Sequence, residues 1–148
     1  MTIQFRIEHA KRELLATLVL QRMLRDEGLR SRIDPLCGII RPGAAVVAVP
    51  WMYDDVDYRN QVPPGWSRPV FSMNWEQIYS RSTRGILVPC GDHVRDVDHL
   101  AWGPVSVGHL LDAGVSEERI CRAGHPRRLL YLDRDLVPER SALAAQHG

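Results

Sequence analysis

Ala44-Ala45-Val46-Val47-Ala48-Val49-Pro50 is the stretch on which the fold turns. It is apolar from Ala44 to Val49 and is closed by a proline, as expected of a short strand buried on both faces. Strands of that kind belong to parallel sheets covered by helices on each side. Immediately beyond it come Trp51, Met52, Tyr53, Asp54 and Asp55.

Working outward, Ile3, Phe5 and Ile7 alternate with Gln4 and Arg6, the period-two signature of a first short strand. From His9 to Glu27 the apolar residues Leu14, Leu15, Leu18, Val19 and Leu24 recur at helical spacing, and Gly28 supplies a stop. Leu29 to Ile33 reads as a second strand. Pro63, Pro64, Gly65 and Pro69 punctuate a loop before Val70 to Met73, another short apolar segment. His99 to Trp102 is a further strand, and Gly103 with Pro104 opens a helix that Gly114 closes. Arg119 to Ala123 gives another strand, and Gly124 with Pro126 starts a final helical segment through Leu132.

Strands alternating with helices predict an α/β domain, a Rossmann-like open and mostly parallel sheet with helices on both faces. One such domain spans 1–137, and 138–148 is expected to be a frayed tail or truncated linker. Ligands of such sheets bind outside the carboxyl ends of the strands. That rule singles out Glu8 and His9, Trp51 to Asp55, Asn74 to Gln77, Gly103, and Gly124 to Arg127.

The 148 residues are 45% hydrophobic and 25% charged, enough for one sizeable core. Nineteen basic against eighteen acidic residues leave a net charge of +1, so no overall field favours nucleic acid or an anionic bilayer. Cys37, Cys90 and Cys121 are odd in number and far apart, which suits reduced thiols better than a disulfide framework. No stretch has the pattern of a signal peptide or the length of a transmembrane span. The expected setting is the cytoplasm, with contact to the inner membrane only as a peripheral partner.

The glycine-rich cradles G-x-G-x-x-G and G-x-x-x-x-G-K-[ST] are both missing, which argues against dinucleotide and P-loop chemistry. No bound cofactor and no metal is predicted. Asp55 and Asp57 nonetheless supply the hard oxygen ligands of a divalent cation, the alternative being a solvated acidic loop. Glu76 lies between Trp75 and Gln77, where desolvation would raise a carboxylate toward a general-base range; a helix first-turn role is the plainer alternative. Cys90 and His93 have a C-x-x-H spacing but no second ligand pair. Gly124-His125-Pro126-Arg127 marks a strand-to-helix junction suited to an anion or simply to a tight turn. The four tryptophans can stack on a pyranose face or fill the core, and Trp51 and Trp75 are favoured for a cleft over Trp66 by their places at strand ends.

Taken in order, Ile7-Glu8-His9-Ala10-Lys11-Arg12-Glu13-Leu14, Val49-Pro50-Trp51-Met52-Tyr53-Asp54-Asp55, Asn74-Trp75-Glu76-Gln77, Ala101-Trp102-Gly103 and Ala123-Gly124-His125-Pro126-Arg127 carry a resemblance. From about residue 3 to residue 132 the chain resembles the N-terminal domain of bacterial surface-carbohydrate and capsular-polysaccharide biosynthesis proteins. These are relatives of CDP-glycerol glycerophosphotransferases with the two-Rossmann-domain GT-B glycosyltransferase architecture. In the family the last motif usually carries asparagine where this chain has His125.

The resemblance implies an acceptor-side, glycosyltransferase-like domain that binds a glycan or sugar acceptor, with donor nucleotide held by a second half. The chain stops near where that half would begin, so the expectation is no transfer unless a donor-binding partner chain, or a homodimer, completes the site. Carried onto these motifs, Glu76 is the candidate base. Glu8, His9, Arg12, Trp51, Tyr53, Asp54, Trp75, Gln77, Trp102, Gly124 and Arg127 are the candidate substrate-binding residues. The competing expectations are a non-catalytic glycan- or partner-binding scaffold and a metal-dependent sugar-nucleotide enzyme using Asp55 and Asp57.

Overall fold

In the computed structural model, which describes residues 1–75, 89–125 and 128, the apolar run becomes β3 (Val46–Val49) at the centre of the sheet. Its residues Val47, Ala48 and Val49 are almost wholly buried. On one side it pairs in parallel with β1 (Thr2–Ile7), Phe5 opposite Ala48. On the other it pairs with β4 (Val70–Ser72), Val49 opposite Ser72. Adding β2 (Arg30–Pro35), β5 (Asp98–Ala101) and β6 (Ile120–Arg122) gives a six-stranded sheet in the order β2-β1-β3-β4-β5-β6, parallel at every described pairing. The predicted open parallel α/β sheet is therefore present.

Helices cover both faces. On one, α1 (Leu15–Asp26) buries Ala16 against Phe5, Ala48, Met73 and Trp75. It ends as its sequence predicts: Gly28 takes φ of +73°, and Leu29 N–H returns to the Leu24 carbonyl at 2.8 Å. On the other face α2 (Asp55–Gln61) and α3 (Pro104–Asp112) lie over the larger core of Val47, Val49, Met52, Val70, Val94 and Leu110. Proline at the first position of α3 is preorganised for a helix start. None of the described helices is long and apolar enough to cross a membrane.

Several boundaries differ from the sequence reading, each for a local reason. The second strand runs to Pro35 and the fifth ends at Ala101 rather than Trp102. The unforeseen α2 exists because Asp54 caps it, accepting from Val56 N–H at 2.8 Å and Asp57 N–H at 2.9 Å. The helix after β1 begins with a π-helical turn, Ala10–Leu14. The final helical segment is described only at Gly124, His125 and Arg128, and the tail at 138–148 lies outside the described residues.

The β2-to-β3 connection contains no helix among its elements, and β1 compensates. Alternating polar residues usually mark a wet face, yet Gln4 is fully buried and Arg6 is 5% exposed. Gln4 donates to Asp34 at 2.9 Å and to the Ile39 carbonyl at 3.1 Å, and accepts from Arg41 N–H at 2.8 Å. Arg6 donates to the carbonyls of Gln61, Leu36 and Gly38. A connection without helical hydrogen bonds has carbonyls to satisfy. Two side chains of β1 do so here.

Candidate functional site: the crevice between β1 and β3

The chain passes from β1 to β2 on one side and then to β3 on the other, so the strand order reverses between β1 and β3. A crevice outside the carboxyl ends opens at such a switch point. Glu8 and His9 follow β1, and Trp51 follows β3. The Trp51 indole N–H donates to Glu8 Oε2 at 2.6 Å, joining the two strand ends. Tyr53 stacks on Trp51 with ring centroids 5.3 Å apart and planes 11° from parallel. A two-ring aromatic surface thus stands beside an exposed carboxylate.

The π-helical turn follows directly beyond the end of β1. Arg12 and Glu13 N–H groups both return to the His9 carbonyl, at 3.0 and 2.9 Å. Glu13 is fully buried and accepts from Glu8 N–H at 2.8 Å, a capping-box reach lengthened by the wider turn. Its other oxygen accepts from Arg12 Nη2 at 2.7 Å and Nε at 3.0 Å. Arg12 Nη2 lies 3.5 Å from Glu8 Oε2, and His9 Nε2 lies 3.7 Å from the same oxygen. A buried carboxylate costs heavily unless paired and hydrogen-bonded; Glu13 is both, and it fixes Arg12 beside Glu8. In the sequence Glu13 stands only within the first motif, with no site role of its own. The sequence signal for it is an acidic residue in the first turn with a basic neighbour one position before.

Asp54 borders the crevice as the α2 cap. Asp57 accepts from Tyr53 N–H at 3.0 Å, holding the aromatic turn, and burial, ahead of the nearby charges of Asp54 and Glu8, raises its pKa. Asp55 turns to His93 instead, accepting from its backbone N–H at 3.0 Å and from Nδ1 at 2.9 Å. These bonds hold the Asp55 pKa at about 2. The His93 ring stacks on Tyr58 at 4.3 Å. Asp55 and Asp57 are therefore committed to different partners, and among the described residues no group of three His, Cys, Asp or Glu side chains is placed to hold a metal ion.

The remaining candidates divide. Trp75 is 4% exposed and packs into the α1-side core with Phe5 and Met73, so its ring is a core ring and not a cleft wall. Trp102 and Gly124 meet past β4, at a separate cavity of about 370 Å³ at the ends of β5 and β6, shared with Val107, Leu111 and Arg122. Trp102 and His125 rings lie 3.7 Å apart there. Glu76, Gln77 and Arg127 lie outside the described residues.

Comparison with family models, with curated proteins and with solved structures yields no match to this chain. Its functional reading rests on the chemistry of the crevice.

Proposed function

We propose that this chain is the acceptor-side, glycosyltransferase-like domain of a surface-polysaccharide biosynthesis protein, and that the β1/β3 crevice holds a sugar of the acceptor. The supporting observation is the Trp51–Glu8 hydrogen bond with Tyr53 stacked on the same indole. Flat aromatic faces suit the C–H face of a pyranose, and an ionised carboxylate accepts sugar hydroxyls through charge-assisted bonds. Arg12, held by Glu13, adds a donor at the same place. In this reading Glu76 is the base that takes the acceptor hydroxyl proton, and donor nucleotide comes from a partner domain or chain.

Titration of the full chain with short oligosaccharides, followed by the four tryptophan indole N–H signals in a nitrogen–proton NMR spectrum, tests it. The Trp51 signal is expected to shift first and to saturate. Saccharides that shift no indole, or only that of Trp102, would remove the proposal from this crevice.

A further inference from the structure

Beneath the exit of β4 lies a buried polar chain that the crevice does not use. Ser72 and His99 are fully buried and Asn74 is 5% exposed. Asn74 is also the one non-glycine residue among those described with a positive φ, at 47°, a conformation that persists only where its surroundings over-determine it. Ser72 Oγ donates to Asn74 Oδ1 at 2.8 Å, and Asn74 Nδ2 donates to the Leu100 carbonyl at 3.1 Å. Asn74 Nδ2 also faces His99 Nδ1 at 3.3 Å, and His99 Nε2 lies 2.9 Å from the Val94 carbonyl.

These contacts dictate the protons. A carbonyl can only accept, so His99 carries hydrogen on Nε2, and Nδ1 of the neutral ring is an acceptor for the asparagine amide. Turning the amide over would set Oδ1 against the Leu100 carbonyl, acceptor against acceptor. Among these contacts the arrangement has one solution.

We propose that Ser72, Asn74 and His99 form an acid-released latch, in which the neutral imidazole holds Asn74 in its left-handed conformation and protonation at Nδ1 lets the β4 exit go. A second ring N–H would point at the amide N–H, donor against donor, and the amide has no alternative orientation. Trp75 would feel the release directly. It follows Asn74, its backbone N–H donates to the Pro50 carbonyl at 3.1 Å, and its ring sits in the core. The latch is independent of what the crevice binds.

The groups around the ring set the direction. Burial is the largest influence and lowers the His99 pKa from its usual 6.5; the Val94 carbonyl and the adjacent Asp98 oppose it, and Arg119 adds to it. Arg119 and Asp98 are themselves paired at 3.2 Å. Ser72 of β4 and Asn74 just beyond it bring no charge. With the folded pKa lowered, the unfolded chain binds the proton more readily, so the latch is whole above about pH 6.5 and weakens as pH falls below it.

NMR of the full chain from about pH 8 to about pH 4 spans the histidine range. The His99 ring nitrogens are expected to report the Nε2–H tautomer at the start. On acidification the Trp75 amide and indole signals should shift with the same midpoint as the ring, below 6.5, while the Val47 and Val49 amides hold. Asn74→Gly keeps access to the left-handed conformation without the amide, and Trp75 should then stop following His99. An Nδ1–H tautomer, a Trp75 signal indifferent to His99 protonation, or a ring that stays neutral until the whole sheet unfolds would each overturn the latch. The titration of the unaltered chain decides this even if the variant does not fold.

Discussion

The Trp51 indole N–H and the Glu8 carboxylate meet at 2.6 Å across the gap between the ends of β3 and β1. The bond orients both partners before any ligand arrives. Trp51 is kept flat against Tyr53, and the Glu8 carboxylate stays within reach of Arg12. Preorganisation of this kind lowers the cost of ordering side chains on binding.

On the proposed reading of the crevice, Glu8→Gln and Trp51→Phe are expected to affect saccharide binding differently. The glutamine variant loses a charged acceptor, worth about 1.5–3 kcal/mol, and affinity is expected to fall roughly 10- to 100-fold. The phenylalanine variant keeps a ring but loses the bond to Glu8, so a smaller loss of roughly threefold to tenfold is expected. Isothermal titration with the same oligosaccharide measures both. Equal affinity in Glu8→Gln would mean that the carboxylate faces solvent rather than ligand.

Arg6 is expected to govern stability instead of binding. Its guanidinium is the donor for three carbonyls, two of them in the helix-free connection after β2. Arg6→Met keeps the apolar stem and strands those acceptors, at a cost of about 3 kcal/mol. In a chain of this size that lowers the thermal midpoint by roughly 10 °C. Calorimetry showing less than about 1 kcal/mol would mean water replaces the guanidinium.

Arg6 also shows where the sequence stopped being legible. Apolar spacing announced β1, β3, α1 and α3, because continuous runs, caps and glycine stops are local signals. The alternation of Gln4 and Arg6 with Ile3 and Phe5 did not say that both faces of β1 are covered, since the covering segment lies more than thirty positions away at Ile39 and Arg41. The crevice followed the same division. Glu8, His9 and Trp51 could be placed by strand ends alone, whereas the buried Glu13 and the diversion of Asp55 to His93 depend on partners that spacing cannot specify. Trp75 shares the strand-end position of Trp51 and still faces the core.

Asp55 gives an acid-range prediction. Bonds from the His93 backbone and ring hold its pKa at about 2, against an ordinary 3.8. A depressed carboxylate pKa contributes stability that is complete above the unfolded value and is lost as pH falls through the folded one. The window therefore runs from about pH 4 down to about pH 2. Carboxyl carbon NMR should place the Asp55 midpoint near 2, and Asn at this position should remove that part of the acid dependence. A midpoint at 3.8 or above would mean that the His93 contact does not persist in solution.

Gly91 should be the costlier of two glycines to replace, and Asp55 is the reason. Gly28 and Gly91 both hold positive φ, +73° and +95°. A Cβ at Gly28 meets nothing within 4 Å, whereas one at Gly91 would stand 2.8 Å from Asp55 Oδ1 and 2.9 Å from its Cγ. Alanine at Gly28 then carries only the backbone cost of about 1 kcal/mol. At Gly91 the same backbone cost is joined by displacement of the carboxylate from His93, so the total is expected to exceed that at Gly28. Chemical denaturation of the two variants tests the order. Repeating Gly91→Ala in an Asp55→Ala background isolates the cause, because residues in contact do not add. With the carboxylate gone, the Gly91 cost should drop to that of Gly28; an unchanged cost would assign all of it to the backbone.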